Sequence, residues 1–204
     1  MGLHYHGRVT SGPSRLSSLF ESPDLAPEEV AARLLVTPTA LADLTIADAM
    51  KVVGYMRPKL LKAGTVIMQE GEVKGNDYML LVLEGDVAVE SDMPGLHESM
   101  VVNVMGPGHL IGEMGLLDGS PRSATCTANT DVAAAVLSRT ALMRIIKDDP
   151  RLGTRLLLAV SKRLSDRLRD TTRKLRTFAQ MNKALQQELN VVMNNRSGTT
   201  PRRF

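Results

Sequence analysis

Ile111-Gly-Glu-Met-Gly-Leu-Leu-Asp-Gly-Ser-Pro-Arg-Ser-Ala-Thr125 sets three glycines, a carboxylate and a guanidinium close together along the chain. Gly112-Glu113 is followed by Met114-Gly-Leu-Leu117, long enough for one helical turn. A helix N-terminus there supplies backbone N–H groups without intrahelical partners, and a dipole that favours an anion. Gly119 and Pro121 turn the chain back, and Arg122 then projects a guanidinium suited to bidentate contact with a phosphate. Glu113 cannot bind a phosphate. It can accept a hydrogen bond from a sugar hydroxyl and hold Arg122 in place. Ser123 adds a hydroxyl donor, and the backbone of Ser123 and Ala124 lies next to the same point. Cation, amide donors and carboxylate together are what a phosphorylated ribose requires. Taken alone, a Glu and an Arg nine residues apart would read as a structural ion pair.

On either side, from Arg57 to Ser138, short alternating segments are separated by turn residues. The pattern predicts strands at 65–69, 78–83, 86–90, 99–105, 109–111, 123–128 and 132–137. The breaks fall at Gly64, Gly71, Gly85, Pro94-Gly95, Gly106-Pro-Gly108 and Gly119. Short strands at regular spacing argue for a small β-sandwich or barrel. Residues 24–56 read as helical, starting at Asp24 or Pro27, with Thr45 as the N-cap of a second amphipathic run. Residues 1–22 read as a flexible arm. Its His4 and His6 could bind a metal, but the ordinary reading is a polar lead-in.

Ser138 or Thr140 caps a short helix that ends near Asp149-Pro150. From Arg151 to about Val192 there is no proline and Gly153 is the only glycine, which predicts one helix of roughly 40 residues, about 60 Å long. Its apolar seam runs Leu164, Leu168, Thr171, Leu175, Phe178, Asn182, Leu185, Leu189 and Val192, with steps alternating four and three. Asn182 takes an a position, which favours a parallel, in-register dimer. The first turns, to about Leu164, are expected to pack on the chain's own barrel. The remainder outruns a small domain and is expected to pair with a second copy. Between Arg151 and Arg176 nine Lys or Arg stand against two Asp. The ordinary reading is a solvated face, and the sharper one is contact with an acidic partner or a nucleic-acid backbone. Residues 195–204 read as a disordered basic tail.

Composition bounds the rest. Of 204 residues, 43% are hydrophobic and 23% charged, enough apolar content for a packed domain. There is no Trp, so aliphatic residues and 12 Met must fill the core. The net charge of +3 is not by itself the footprint of a nucleic-acid binder. Cys126 is the only cysteine, and neither a signal peptide nor a run of 18 apolar residues is found. A cytoplasmic protein outside the membrane is the expectation.

The Gly112–Ala124 segment strongly resembles the phosphate-binding stretch of the cyclic nucleotide-binding domain family. That pattern runs Gly-Glu, small apolar residues, a short loop, then Arg, a small residue and Ala. Gly112, Glu113, Gly115, Leu116, Pro121, Arg122, Ser123 and Ala124 match it. Over about residues 45–178 the order of elements resembles the bacterial CRP-like (catabolite activator protein-like) regulators. The resemblance implies an α+β fold: a cyclic nucleotide-binding, eight-stranded β-barrel (jelly roll) with N-terminal helices and a long C-terminal dimerisation helix. The expected organisation is 1–22 arm, 23–56 N-terminal helices, 57–150 barrel, 151–194 long helix and 195–204 tail. In that family the Glu binds the ribose 2′-hydroxyl and the Arg pairs with the cyclic phosphate. Gly112, Glu113, Met114, Arg122, Ser123 and Ala124 are thus the expected contacts.

The CRP-like cAMP receptors also carry a Thr-Ser pair on the central helix that contacts adenine, one residue reaching the protomer's own ligand and the other across the dimer. Thr171-Thr172 resembles that pair and keeps both hydroxyls. The expected ligand is therefore cAMP. A hydroxyl pair also accepts guanine, so cGMP fits as well, while Glu113 as a 2′-hydroxyl recogniser argues against cyclic di-GMP. No metal is expected. The 26 residues after Phe178 extend the heptad and hold no winged helix-turn-helix, so no sequence-specific DNA reading is expected and the output would pass to a protein effector. An enzyme finds no support, since His4, His6, His97 and His109 lack metal-ligand spacing near Glu113, and Gly106-Pro-Gly108 opens no long helix.

Overall fold

A computed structural model describes residues 26–92 and 99–197 of the chain. The proposed start at Asp24, the arm with His4 and His6, the Pro94-Gly95 turn and the end of the basic tail lie outside these residues. The elements run α1 (Pro27–Leu35), α2 (Ile46–Val53), β1 (Arg57–Leu61), β2 (Val66–Met68), β3 (Tyr78–Glu84), β4 (Val87–Asp92), β5 (Ser99–Met105), β6 (Leu110–Ile111), α3 (Glu113–Asp118), β7 (Thr125–Ala128), β8 (Val132–Ser138), α4 (Arg139–Asp148) and α5 (Pro150–Ser197). They fall into two compact units, divided between Val160 and Ser161.

Two four-stranded antiparallel sheets make the body of the first unit, in the orders β1-β8-β3-β6 and β2-β7-β4-β5. Leu80 stands opposite Val136 in one sheet and Val89 opposite Cys126 in the other. One apolar cluster joins the sheets: Leu61, Leu80, Val82, Ile111 and Ala134 from the first meet Ile67, Met68, Val87, Met105 and Cys126 from the second. The result is the expected α+β jelly roll. β3 is apolar at consecutive positions because both its faces are covered. Leu80 and Val82 enter the core, while Met79 and Leu81 are buried on the other side of the strand, against which α1 packs. Leu80→Ala should therefore cost about 3 kcal/mol in a urea titration, since the cavity is enclosed on all sides.

β1 is the one strand that the sequence pattern does not separate out. It is an edge strand, its first four residues are exposed, and Pro58 and Lys59 hide it from a propensity reading. The N-terminal region forms two helices, with Thr45 capping the second as expected. Pro27 opens α1 at its first turn, and the Thr45 hydroxyl accepts from the Asp48 N–H at 3.1 Å to open α2. The turn between them is tied to the barrel by Thr37 and Thr39, whose hydroxyls donate to the Gly108 carbonyl at 3.1 and 2.8 Å. Ser138, not Thr140, caps α4, accepting from the Ala141 N–H at 3.2 Å.

α5 is a single helix of 48 residues. Asp149 caps it through Oδ1, accepting from the Leu152 N–H at 3.0 Å. Leu152, Leu156, Ala159 and Val160 are buried in the first unit. In the second unit every residue from Ser165 to Met193 is exposed. There the seam stands open, with Leu175 67% and Phe178 66% exposed.

Candidate ligand site

The site is built where β6 runs into α3. Gly112 joins them with φ at +81°, a left-handed conformation that side chains resist. It also sits where no side chain fits: a Cβ would lie 2.6 Å from Nη1 of Arg122 and 2.6 Å from Cε of Met68. Gly115, within the first turn of α3, is equally confined, with a Cβ falling 2.5 Å from the Asn76 carbonyl oxygen and 2.9 Å from Arg122 Nη1. The two glycines make the room that the guanidinium fills.

Arg122 is only 6% exposed. Its Nη1 donates to the Gly112 carbonyl at 3.0 Å and its Nη2 to the Tyr78 carbonyl at 3.1 Å. The guanidinium carbon lies 4.7 Å from the centre of the Tyr78 ring, a cation–π contact. Main-chain bonds fix the residue too: its N–H donates to Glu72 O at 3.1 Å, and its carbonyl accepts from Gly71 at 2.8 Å. A guanidinium has five N–H donors, so the two carbonyl bonds set its plane without exhausting it. It is a permanent positive charge held in a low-dielectric wall, the setting in which a phosphate gains most from pairing.

Glu113, the first residue of α3, is 1% exposed. Because Arg122 holds the carbonyl of the residue just before it, a buried carboxylate and a buried guanidinium share one turn of chain. Met114 is exposed on α3, Ser123 is exposed, and Ala124 is half-buried against the core. The structure thus brings together Gly112, Glu113, Met114, Arg122, Ser123 and Ala124 on the β6–α3–β7 connection. Thr171 and Thr172 belong to the second unit, where both are exposed and their hydroxyls donate at 2.9 Å to the carbonyls of Arg167 and Leu168.

Three supporting residues were not found by reading the sequence. Asn76 is buried, and its Nδ2 donates to the carbonyls of Gly119 at 2.9 Å and Ser120 at 2.7 Å. Tyr78 is anchored by its hydroxyl, which donates to Ile67 O at 2.8 Å, and burial raises the pKa of that hydroxyl. Arg139 reaches the last carbonyls of α3, with Nε donating to Leu116 at 3.1 Å and Nη2 to Leu117. At the loop after α3, the Ser120 N–H donates to Asp118 Oδ1 at 2.9 Å, which holds that carboxyl below its ordinary pKa. Among the described residues no group of three His, Cys, Asp or Glu could hold a metal, and no helix is long and apolar enough to cross a membrane.

Comparison with known proteins accords with this geometry. The profile of the cyclic nucleotide-binding domain matches residues 58–149. A CRP-like cAMP-activated global transcriptional regulator of Mycobacterium tuberculosis is 30% identical over 129 residues, which are 63% of this chain and 53% of that protein. A crystal structure of a cyclic nucleotide-binding domain from Methylobacillus flagellatus is 30% identical, with a TM-score of 0.63 over 72% of this chain and 81% of that one. The regulatory domain of Toxoplasma gondii PKA, crystallised with cAMP, is 30% identical, with a TM-score of 0.51 over 59% of this chain and 45% of that one. The chain belongs to the cyclic nucleotide-binding domain family. It spans about half the length of the curated regulator it matches.

Proposed function

We propose that this protein is a cAMP sensor, a regulatory module rather than an enzyme, that works as a homodimer and acts through a protein partner. The observation that carries the reading is the buried Arg122 guanidinium beside the turn that bears the buried Glu113 carboxylate, on the stretch that matches the family pattern. Arg122 pairs with the cyclic phosphate. Glu113 accepts from the ribose 2′-hydroxyl. Gly112, Met114, Ser123 and Ala124 line the ribose phosphate. Thr171 and Thr172 contact the base, and their hydroxyls favour adenine through its amino group. The naming of cAMP in two of the similar proteins supports adenine over guanine.

Support for the dimer comes from the open seam. Leu168, Leu175, Phe178, Leu185 and Leu189 are each more than half exposed, and Asn182 supplies a register-setting pair. Leu175→Asp combined with Leu185→Asp should convert the dimer to a monomer in sedimentation equilibrium, because each charge would enter a buried layer of the coil.

A second reading rests on the basic run from Arg163 to Arg176, exposed from Ser165 onward. Its two aspartates are taken by local pairs, Arg169–Asp166 at 2.7 Å and Arg173–Asp170 at 2.8 Å. Association with a nucleic-acid backbone would appear in gel shifts with unrelated duplexes and fade between low and physiological salt. The leading reading is tested by titration calorimetry. Saturable cAMP binding at one ligand per chain, tighter than for cGMP, is expected. Folded protein giving no heat with sub-millimolar cAMP overturns it.

A further inference from the structure

α3 is too short to hold itself. It has six residues, and a helix leaves its last four carbonyls without intrahelical partners. At its C-terminal end Gly119 donates its N–H to Gly115 O at 3.0 Å, and Asn76 takes the carbonyls of Gly119 and Ser120 just beyond. The carbonyls of Leu116 and Leu117 accept from the Arg139 guanidinium. Arg139 is the first residue of α4 and is itself pinned, its N–H donating to Asp77 O at 2.7 Å. Asp77 precedes Tyr78, whose carbonyl holds Arg122. Two arginines therefore grip α3 from opposite ends: Arg122 on the carbonyl before its first residue, Arg139 on the carbonyls at its last turn. A cation at a helix C-terminus is favoured by the dipole as well as by the two bonds.

From this juxtaposition we propose that Arg139 is a positioning residue of the ligand site. It touches no ligand. It fixes the axis of α3, and through it the aim of Glu113, by bonds that neutral or shorter side chains cannot reproduce. The proposal rests on the reading of Glu113 and Arg122 as ligand contacts and names the group on which their alignment depends.

Arg139→Met and Arg139→Lys in the full chain test it, with two measurements. The first is amide hydrogen exchange without ligand. Arg139→Met should speed exchange locally, over residues 113–123, and Arg139→Lys should restore part of the protection. The second is cAMP affinity. Arg139→Met should bind about tenfold more weakly, as expected for loss of charged hydrogen bonds, and Arg139→Lys should recover part of that loss. Should Arg139→Met fail to fold, Arg139→Lys decides: exchange over 113–123 faster than in the parent supports the proposal. Parental exchange over 113–123 overturns it, in Arg139→Met if that variant folds and in Arg139→Lys if it does not, as does parental affinity in Arg139→Met. If the parent binds no cyclic nucleotide, the ligand reading falls, and the exchange result still decides what Arg139 does to α3.

Discussion

Arg122→Ala should abolish cyclic nucleotide binding, with affinity falling by about a hundredfold or more while the chain stays folded. The expectation follows from where the guanidinium sits. It is a fixed charge, 6% exposed, with its plane set by the Gly112 and Tyr78 carbonyls. Truncating one member of a desolvated, hydrogen-bonded charge pair costs roughly 2–5 kcal/mol of binding, which is ~30-fold to several thousandfold. Arg122→Lys should fall between, since an ammonium keeps the charge but loses the fork that spans two acceptors. The effect on folding has two opposing parts. The Gly112 and Tyr78 carbonyls lose their donor, which costs about 1–3 kcal/mol, and the expense of a buried charge disappears. Titration calorimetry for affinity and a denaturant melt for stability separate the two. A folded Arg122→Ala protein that binds as the parent does would remove Arg122 from the site.

The second large effect is expected from Gly112→Val. A β-branched residue at φ +81° is strained by roughly 1–3 kcal/mol before any contact is made. Its Cβ would also lie 2.6 Å from both the Arg122 guanidinium and the Met68 side chain. Met68 can shift, being a flexible side chain, but the guanidinium moves only by leaving the carbonyls that orient it. Both stability and affinity should therefore fall together, stability by about 2 kcal/mol or more. Gly64 has the same φ of +81°, and a Cβ there would meet nothing within 4 Å. Gly64→Val should thus lose stability through backbone strain alone and keep its affinity. The pair of variants distinguishes conformational strain from displacement of the arginine.

The candidate site was legible in the sequence because its residues are close along the chain. Gly112, Glu113, Gly115 and Arg122 lie within eleven positions, and each residue type has a reason to stand at its place. The seam of α5 was legible for the same reason, since a four-three repeat is visible along one helix. The supporting residues were hidden by distance along the chain. Asn76 reaches a carbonyl 43 residues away, Arg122 one 44 away, and Arg139 one 23 away. No local pattern marks such bonds, and Tyr78 read as an ordinary strand residue because the ring and carbonyl that meet Arg122 leave no mark in the sequence. β1 was hidden differently. Pro58 and Lys59 contradict strand propensity, and the strand is tolerated because it lies at a sheet edge and needs cover only at Leu61.

The proposed role of Arg122 and Glu113, holding a cyclic ribose phosphate between them, is decided by a crystal structure of the protein grown with cAMP. The cyclic phosphate is expected within hydrogen-bond distance of the Arg122 guanidinium, with the ribose 2′-hydroxyl donating to the Glu113 carboxylate. A nucleotide bound elsewhere, with Arg122 still holding only Gly112 and Tyr78, would contradict it.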